Sequence, residues 1–414
     1  NLSPFTFHLS PSITNLSATQ LPYPDNHFDL VSTDPPYYDA INYAELSDFF
    51  YVWFKKSLSD LFPELFATPL TPKSNEAVAN PIRHGSVEKA KQHFEKMLSD
   101  SFKEMYRILK TNGIAIIVYA HKTISGWETM LNSLMNAGFV VTGSWPINTE
   151  MGSRLNANET ASLASSIYMV CRKIKREKIG FYNEIKEEIK KRVEEKMKQF
   201  WNEGISGGDF FISAIGPGME IFSQFEKVEK LSGEEVSTVE LLDYIRKVST
   251  DWITNQLLQG AEAANIDKEA RFYLAYRWTY FDATVPFDDA FKLANASGID
   301  ITQYWSQDGF IQKKGSEIKV LGPKERKNIK QTQNMVDIMH KALSIWEEGD
   351  KTKLVEFLAI TGQQKNNAFF QFCQAVSECL INNSKEKQLL QGFLLSKESI
   401  MKQEKIVDKQ MKLL

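Results

Sequence analysis

The stretch Ile114-Ala115-Ile116-Ile117-Val118-Tyr119 is apolar at every position. An unbroken run of this length reads as a strand buried on both faces, and such strands belong to parallel sheets covered by helices. The pattern before it, Ser86 to Lys110, sets Phe94, Leu98, Phe102, Met105 and Leu109 three or four apart, as one face of a helix. Thr111-Asn112-Gly113 is a stop signal for that helix. Trp127 to Ala137 reads as a second helix closed by Gly138, and Phe139-Val140-Val141 and Ser166 to Val170 as further strands. Upstream, residues 12–24 read as a short strand and a loop, Asp25-Asn26-His27 as a turn, and residues 28–33 as a strand. Strands alternating with helices predict a doubly wound sheet, whose ligands bind at the carboxyl ends of its strands.

Asp34-Pro35-Pro36-Tyr37 stands at such an end. The two prolines fix φ and remove two N–H donors, so this backbone is stiff and offers carbonyl acceptors. A carboxylate held there beside an aromatic ring suits the gripping of an exocyclic base amine. That amine is conjugated into its ring and is a poor nucleophile. If the Asp34 carboxylate and the Pro35 carbonyl each accept one N–H, the nitrogen lone pair is freed toward an incoming methyl group, and the same acceptors stabilise the positive charge that develops. Tyr37 would stack on the base, a contact worth about 1–3 kcal/mol, once the base has left the duplex. Of the neighbours, Tyr38, Asp39, Asn42 and Glu45 could face the target, and Asp48 is expected in solvent. The Tyr43, Leu46, Phe50, Trp53 and Phe54 stripe reads as core. His121, at the end of the second strand, could touch the base or order the loop, although a surface histidine at a strand end is the simpler reading.

Around that tetrapeptide the chain resembles class I S-adenosylmethionine-dependent amino-methyltransferases. More narrowly it resembles prokaryotic adenine-specific DNA methylases containing a zinc ribbon. The resemblance is carried by Phe28 to Asp39, the Tyr43 to Trp53 aromatic helix, Tyr119-Ala120-His121-Lys122, Ser165-Ser166-Ile167, Gly208-Asp209-Phe210, Ile215-Gly216-Pro217 and Arg271 to Leu274. It implies a Rossmann-like sheet, S-adenosylmethionine as cofactor and DNA as partner. It also implies other subunits of a modification or antiphage defence system. In this pattern Asp34 and Pro35 hold the amine, Pro36 shapes the loop and Tyr37 stacks on the base, most often that of adenine. Cytosine amine and structured RNA are the alternative targets.

The family's glycine-rich donor loop precedes the tetrapeptide, and no glycine lies between Asn1 and Asp34. The acidic residue that meets the donor's adenine would fall near Ser17. The expectation is therefore the carboxyl-terminal part of a longer protein, or half of a split enzyme, with the strand before Asp34 left unpaired on one side. A non-catalytic accessory subunit that relies on a donor pocket elsewhere is the alternative from another class. Phe210 to Gly218 offers a permuted donor loop, a strand running into a glycine turn, but it reads equally as a helix start. Cys171, Cys373 and Cys379 show no paired metal spacing, so neither the zinc ribbon nor another metal site is expected.

The 414 residues suggest more than one domain. The expected division is 1–173 for the sheet with the tetrapeptide, 174–260 for helical packing, 261–330 for helices with a hairpin, and 331–414 for a helical end. The fold class is thus α/β: a partial Rossmann-like sheet, then a mostly α-helical region with a small β-hairpin. No apolar run reaches the ~20 residues that span a bilayer. The three scattered cysteines suit a reducing, cytoplasmic compartment. Net charge is −3, with 14 basic and 16 acidic residues up to Lys173, so neither part is a basic module.

Beyond Lys173, Ile185, Ile189, Val193, Met197 and Trp201 share a helical stripe, and Ser237 with Glu240 forms a capping box. Arginine interleaved with aromatics in residues 268–281 reads chiefly as a helix buried through its rings. Helices near Asp288–Ala296 and Ile301–Trp305, then a hairpin turning at Lys313-Lys314-Gly315, outline a winged helix. Seven basic residues against two acidic ones between Lys313 and Lys330 make Lys313, Lys314, Lys319 and Arg326 candidates for phosphate contacts.

Overall fold

The apolar run occupies the second half of an eleven-residue strand. In the computed structural model, which describes residues 12–36, 41–121, 124–148, 165–258, 265–306, 308–326 and 329–402, the order begins with β1 (Phe28–Thr33), α1 (Tyr43–Leu58), α2 (Pro81–His84), α3 (Val87–Ile108) and β2 (Leu109–Tyr119). α4 (Ile124–Asn136), β3 (Phe139–Asn148) and β4 (Ser165–Lys173) follow. The strands form one sheet in the order β1-β2-β4-β3, with parallel and antiparallel neighbours mixed. The molecule is a mixed α/β protein. Residues 12–24 hold turns rather than the expected strand. Their backbone is tied down instead by Arg107, whose guanidinium donates to the carbonyls of Leu21 and Tyr23 and to Asp25.

β1 and β2 run parallel, with Val31 opposite Ala115 and Thr33 opposite Ile117. The register jumps between Phe28, opposite Leu109, and Leu30, opposite Ile114. Thr111-Asn112-Gly113 is therefore a bulge inside the strand, not the end of the helix, which stops at Ile108. α3 buries Ala90, Phe94, Leu98, Phe102, Met105 and Ile108 along one face, as its spacing predicts.

The chain separates into two units. The first holds Asn1–Tyr119, Thr129–Thr142 and Val170–Lys175; the second holds Ala120–Glu128, Gly143–Met169 and Arg176–Leu414. Arg176–Leu414 lies wholly in the second unit.

That second unit continues with β5 (Ile179–Phe181), α5 (Tyr182–Asn202), α6 (Gly208–Ser213), α7 (Ile215–Phe222), β6 (Lys227–Glu229) and α8 (Thr238–Leu257). The Ile185, Ile189, Val193 and Met197 stripe of α5 is buried. The Ser237–Glu240 capping box starts α8. Residues 210–218 are helical, so the strand and glycine turn of a permuted donor loop do not form. A Cβ on Gly216 would meet Ser144 Oγ at 2.0 Å, and one on Gly218 would meet Ile245 Cδ1 at 2.2 Å. These glycines serve close packing.

Next come α9 (Lys268–Tyr280), β7 (Val285–Pro286), α10 (Phe287–Ser297), a 3₁₀ turn at Ile301–Tyr304, β8 (Ile311–Lys314) and β9 (Glu317–Val320). The three strands pair antiparallel in the order β7-β9-β8. Helix, short strand, helix, turn and hairpin follow the outline of a winged helix, but the position of a recognition helix holds only the four-residue 3₁₀ turn. The rings of α9 are core, with Phe272, Tyr273 and Tyr276 fully buried. Helices α11 (Met335–Glu348), α12 (Lys351–Ile360), α13 (Asn367–Cys379), α14 (Lys385–Leu395) and α15 (Lys397–Lys402) complete the described chain. Among the described residues no helix is long and apolar enough to cross a membrane.

Within this unit a polar network is sealed in the core. Arg326 donates to His340 Nδ1 at 3.1 Å, and His340 Nε2 lies 3.1 Å from the Tyr273 hydroxyl. A guanidinium can only donate, so Nδ1 is the acceptor and Nε2 carries the hydrogen. Arg277, 1% exposed, is ion-paired with both Asp282 and Glu386.

Candidate functional site

β1 ends at Thr33, and Asp34, which follows it, is exposed. Pro35 is buried and Pro36 exposed. One proline thus anchors the turn while the carboxylate before it stays open to solvent, the arrangement an amine-gripping acid needs. Tyr37, Tyr38 and Asp39 lie outside the described residues.

The chain resumes at the start of α1, whose first turn receives no cap from the side chain of Asn42. Instead, a strap formed by residues 71–84 holds this helix. Glu76 Oε1 accepts from the backbone N–H of Ala44 at 2.9 Å. Thr71 donates to the Ala44 carbonyl at 2.6 Å, and Lys73 Nζ pairs with Asp48 Oδ2 at 2.7 Å. Arg83 reaches the carboxylates of both Glu45 and Glu76. Asp48 is therefore a strap anchor and not a solvent group. The Lys73 ammonium, and next to it the Thr71 hydroxyl, hold its carboxyl at about 2. Glu45 is likewise held below the usual carboxylate range, chiefly by its bond from Arg83.

Asn80 and Pro81 give the strap its end. Asn80 Oδ1 accepts from the N–H groups of Ile82 and Arg83 at 2.9 and 3.2 Å, and Pro81 occupies the first position of α2. Asn80 Nδ2 then donates to Asn42 Oδ1 at 2.9 Å. Because the Asn80 oxygen is committed to two N–H donors, only its nitrogen can face Asn42, and Asn42 must meet it with oxygen. The Asn42 amide nitrogen is left as a donor. Both asparagines line an open cavity of about 600 Å³, together with Ile41, Glu45, Leu46, Ile82 and Arg83. Sequence reasoning named Asn42 and missed Asn80, Glu76 and Arg83. The Asn-Pro pair, a capping residue followed by proline at the first helical position, was the available signal for Asn80.

The stripe read as core is not core. Tyr43, Leu46, Phe50, Trp53 and Phe54 are all exposed, and so are Phe49 and Val52. α1 turns its polar side, with Asp48, toward the strap and its rings outward.

His121 belongs to the second unit, whereas Asp34 and Asn42 belong to the first. His121 is half-buried, its carbonyl accepts from Trp127 Nε1 at 2.9 Å, and its ring covers Gly126, where a Cβ would come within 2.2 Å of Nδ1. Its charge is among those acting on Asp289.

Among the described residues of the basic segment, Lys319, Lys324 and Arg326 are ion-paired. Lys319 pairs with Glu325 at 2.6 Å and Lys324 with Glu347 at 2.7 Å. Lys313 Nζ sits over the Trp305 and Phe287 rings, 4.4 and 5.4 Å from their centroids. Arg326 is buried and pairs with Asp337 at 2.7 Å, which corrects its expected role: it holds the core and is not available to a phosphate. Lys314 and Lys330 remain exposed.

The three cysteines are buried and free, with burial pushing the Cys379 thiol up to about 12. Comparison with family models, with curated proteins and with solved structures found no match to this chain.

Proposed function

We propose that the first unit is the base-binding part of an S-adenosylmethionine-dependent amino-methyltransferase, acting on adenine N6 in DNA and built on a Rossmann-like sheet. The observation that carries this reading is the exposed Asp34 carboxylate at the carboxyl end of a parallel strand, fixed by a buried Pro35. Asp34 and the Pro35 carbonyl accept the two amine hydrogens, which frees the lone pair and stabilises the charge forming on nitrogen. The Asn42 amide nitrogen, eight residues on, supplies a donor for the ring nitrogen beside that amine. Amine donor and ring acceptor together are the Watson–Crick edge that adenine and cytosine share.

S-adenosylmethionine supplies the methyl group in such a reaction. The described residues do not form a cradle for it: residues 12–34 contain no glycine, and Gly216 and Gly218 are packed inside helices. This favours a chain whose donor pocket is provided by other residues, either in the active enzyme or in a complex where this chain is the accessory part.

Two measurements test the reading. A duplex carrying 2-aminopurine at a target position should brighten on binding as the base leaves the stack. Transfer of labelled methyl groups to DNA, with a donor-binding segment supplied, should vanish in Asp34→Ala while the circular dichroism spectrum is unchanged. Transfer that survives Asp34→Ala rules the assignment out.

A further inference from the structure

Ile82 is the second residue of α2 and lines the same open cavity as Asn42, Asn80 and Leu46. Its side chain is 94% exposed. Single exposed apolar residues are common on protein surfaces and mean nothing alone. What sets this one apart is how firmly the backbone beneath it is held.

Asn80 Oδ1 accepts from the N–H of Ile82 itself at 2.9 Å. Pro81, with φ fixed by its ring, comes directly before it. The Gly85 N–H donates to the Pro81 carbonyl at 2.8 Å, and Gly85 takes a φ of 81° to lead the chain away. Arg83, the next residue, is bound by Glu45 and Glu76 and donates to the Lys73 carbonyl at 3.2 Å. His84 donates from Nδ1 to the Asn80 carbonyl at 2.8 Å. Its ring stacks on that of His93 in α3, with centroids 4.2 Å apart. A four-residue helix has little stability of its own, so these contacts are what keeps the tip in place. The isoleucine side chain is stiff as well, being branched at Cβ. A set of polar contacts thus converges on holding one bare aliphatic group out into solvent beside the cavity.

We infer that Ile82 is a wedge that enters the DNA stack and fills the gap left when the target base moves into the cavity. The inference deepens the base-binding reading and rests on it through Asn42, which lines the same cavity. A base that leaves a duplex gives up its pairing and its stacking, and its neighbours are left facing an opening. Isoleucine is among the apolar side chains that proteins insert between base steps. A wedge has to be apolar to stand in for the lost ring. It has to project beyond the surface to reach the stack, and it has to resist being pushed back. Ile82 meets the first need by its chemistry, the second by its exposure and the third by the contacts on both sides of it. The rival role for the same residue is a wall of the base cavity. A wall touches the extruded base wherever that base came from, whereas a wedge touches the duplex left behind.

The test uses the full-length protein and two DNA probes with 2-aminopurine at the target position. In one the 2-aminopurine is paired with thymine in a continuous duplex. In the other it is an extra, unpaired nucleotide, whose extrusion leaves no gap because the flanking pairs can stack on each other. The wild-type protein should bind and brighten both. Ile82→Ala should bind the paired probe roughly tenfold or more weakly, in keeping with the apolar area removed from the contact, and should brighten it less. It should bind the unpaired probe as the wild type does. Ile82→Leu should restore the paired probe, and circular dichroism should be unchanged in both variants. Equal weakening on the two probes makes Ile82 a wall and overturns the proposal. An Ile82→Ala protein that binds and brightens the paired probe like the wild type also overturns it, and leaves the base-binding reading intact. Wild-type protein that brightens neither probe removes that reading and the wedge with it.

Discussion

Asn80 donates its amide nitrogen to Asn42 Oδ1 at 2.9 Å, and that bond determines which end of Asn42 remains for a ligand. Neither residue could be oriented alone, since an amide flips at little cost. The two N–H groups at the start of α2 fix Asn80, and Asn80 fixes Asn42.

Asn80→Asp should separate these roles. Aspartate caps a helix as well as asparagine does, so α2 persists and thermal stability moves by less than about 0.5 kcal/mol. It has no donor for Asn42, whose amide can then turn. Binding of a duplex with the target base is expected to weaken about fivefold, the ~1 kcal/mol of one hydrogen bond. Titration by fluorescence anisotropy reads this directly, and unaltered affinity would remove Asn42 from the site.

The strap should respond to acid. The Asp48 carboxyl lies at about 2 when folded, against an ordinary value of 3.8. A depressed carboxylate pKa contributes stability that is complete above the ordinary value and declines as pH falls toward the folded one. Protection of the Thr71 and Ala44 amides, taken relative to their intrinsic exchange rates at each pH, should thus be constant down to about pH 4 and fall between roughly pH 4 and pH 2. Asp48→Asn should show fast exchange at Thr71 throughout, with the acid step gone.

His340 gives the second unit a different pH signature. Burial first, then the charges of Arg326 and Arg277, hold its imidazole well below the ordinary 6.5. The folded state keeps it neutral, and the unfolded state takes up a proton below about pH 6.5. Stability therefore falls as pH drops below that value, with a slope of up to ~1.4 kcal/mol per pH unit. Urea unfolding at pH 7.5 and pH 5.5 should show the loss, and His340→Gln should flatten it.

Arg277 holds α9 to α14 through Glu386, and Asp282 shares its charge. Glu386→Gln leaves a buried guanidinium with one ionised partner. The expected cost is about 3 kcal/mol, the low end for breaking a buried pair, because Asp282 still compensates. Chemical denaturation measures it, and a change below 1 kcal/mol would show that the pair contributes little.

Much of the local structure was legible because it is periodic. The Phe94, Leu98, Phe102 and Met105 spacing produced α3, the apolar run at 114–119 produced the buried part of β2, and Ser237 with Glu240 produced the start of α8. Hairpin β8–β9 was legible as a hairpin, but its turn is Gly315-Ser316, and Lys313 and Lys314, expected in the turn, belong to the strand. Asp34 at the end of a strand was also legible, since a proline pair after an apolar run leaves few other conformations.

What the linear pattern could not supply was the partner of each face. The α1 stripe has the period of a core helix, and period says only that a face is apolar, not that anything covers it. The charge count between Lys313 and Lys330 could not reveal that Glu347 and Asp337, distant in sequence, neutralise Lys324 and Arg326. Glycines at 216 and 218 carried the composition of a ligand loop, while the side chains of Ser144 and Ile245 make them packing residues. Local conformation is set by a few neighbouring residues and is written along the chain. Burial, ion pairing and amide orientation depend on groups brought together by folding, so only the tertiary structure decided them.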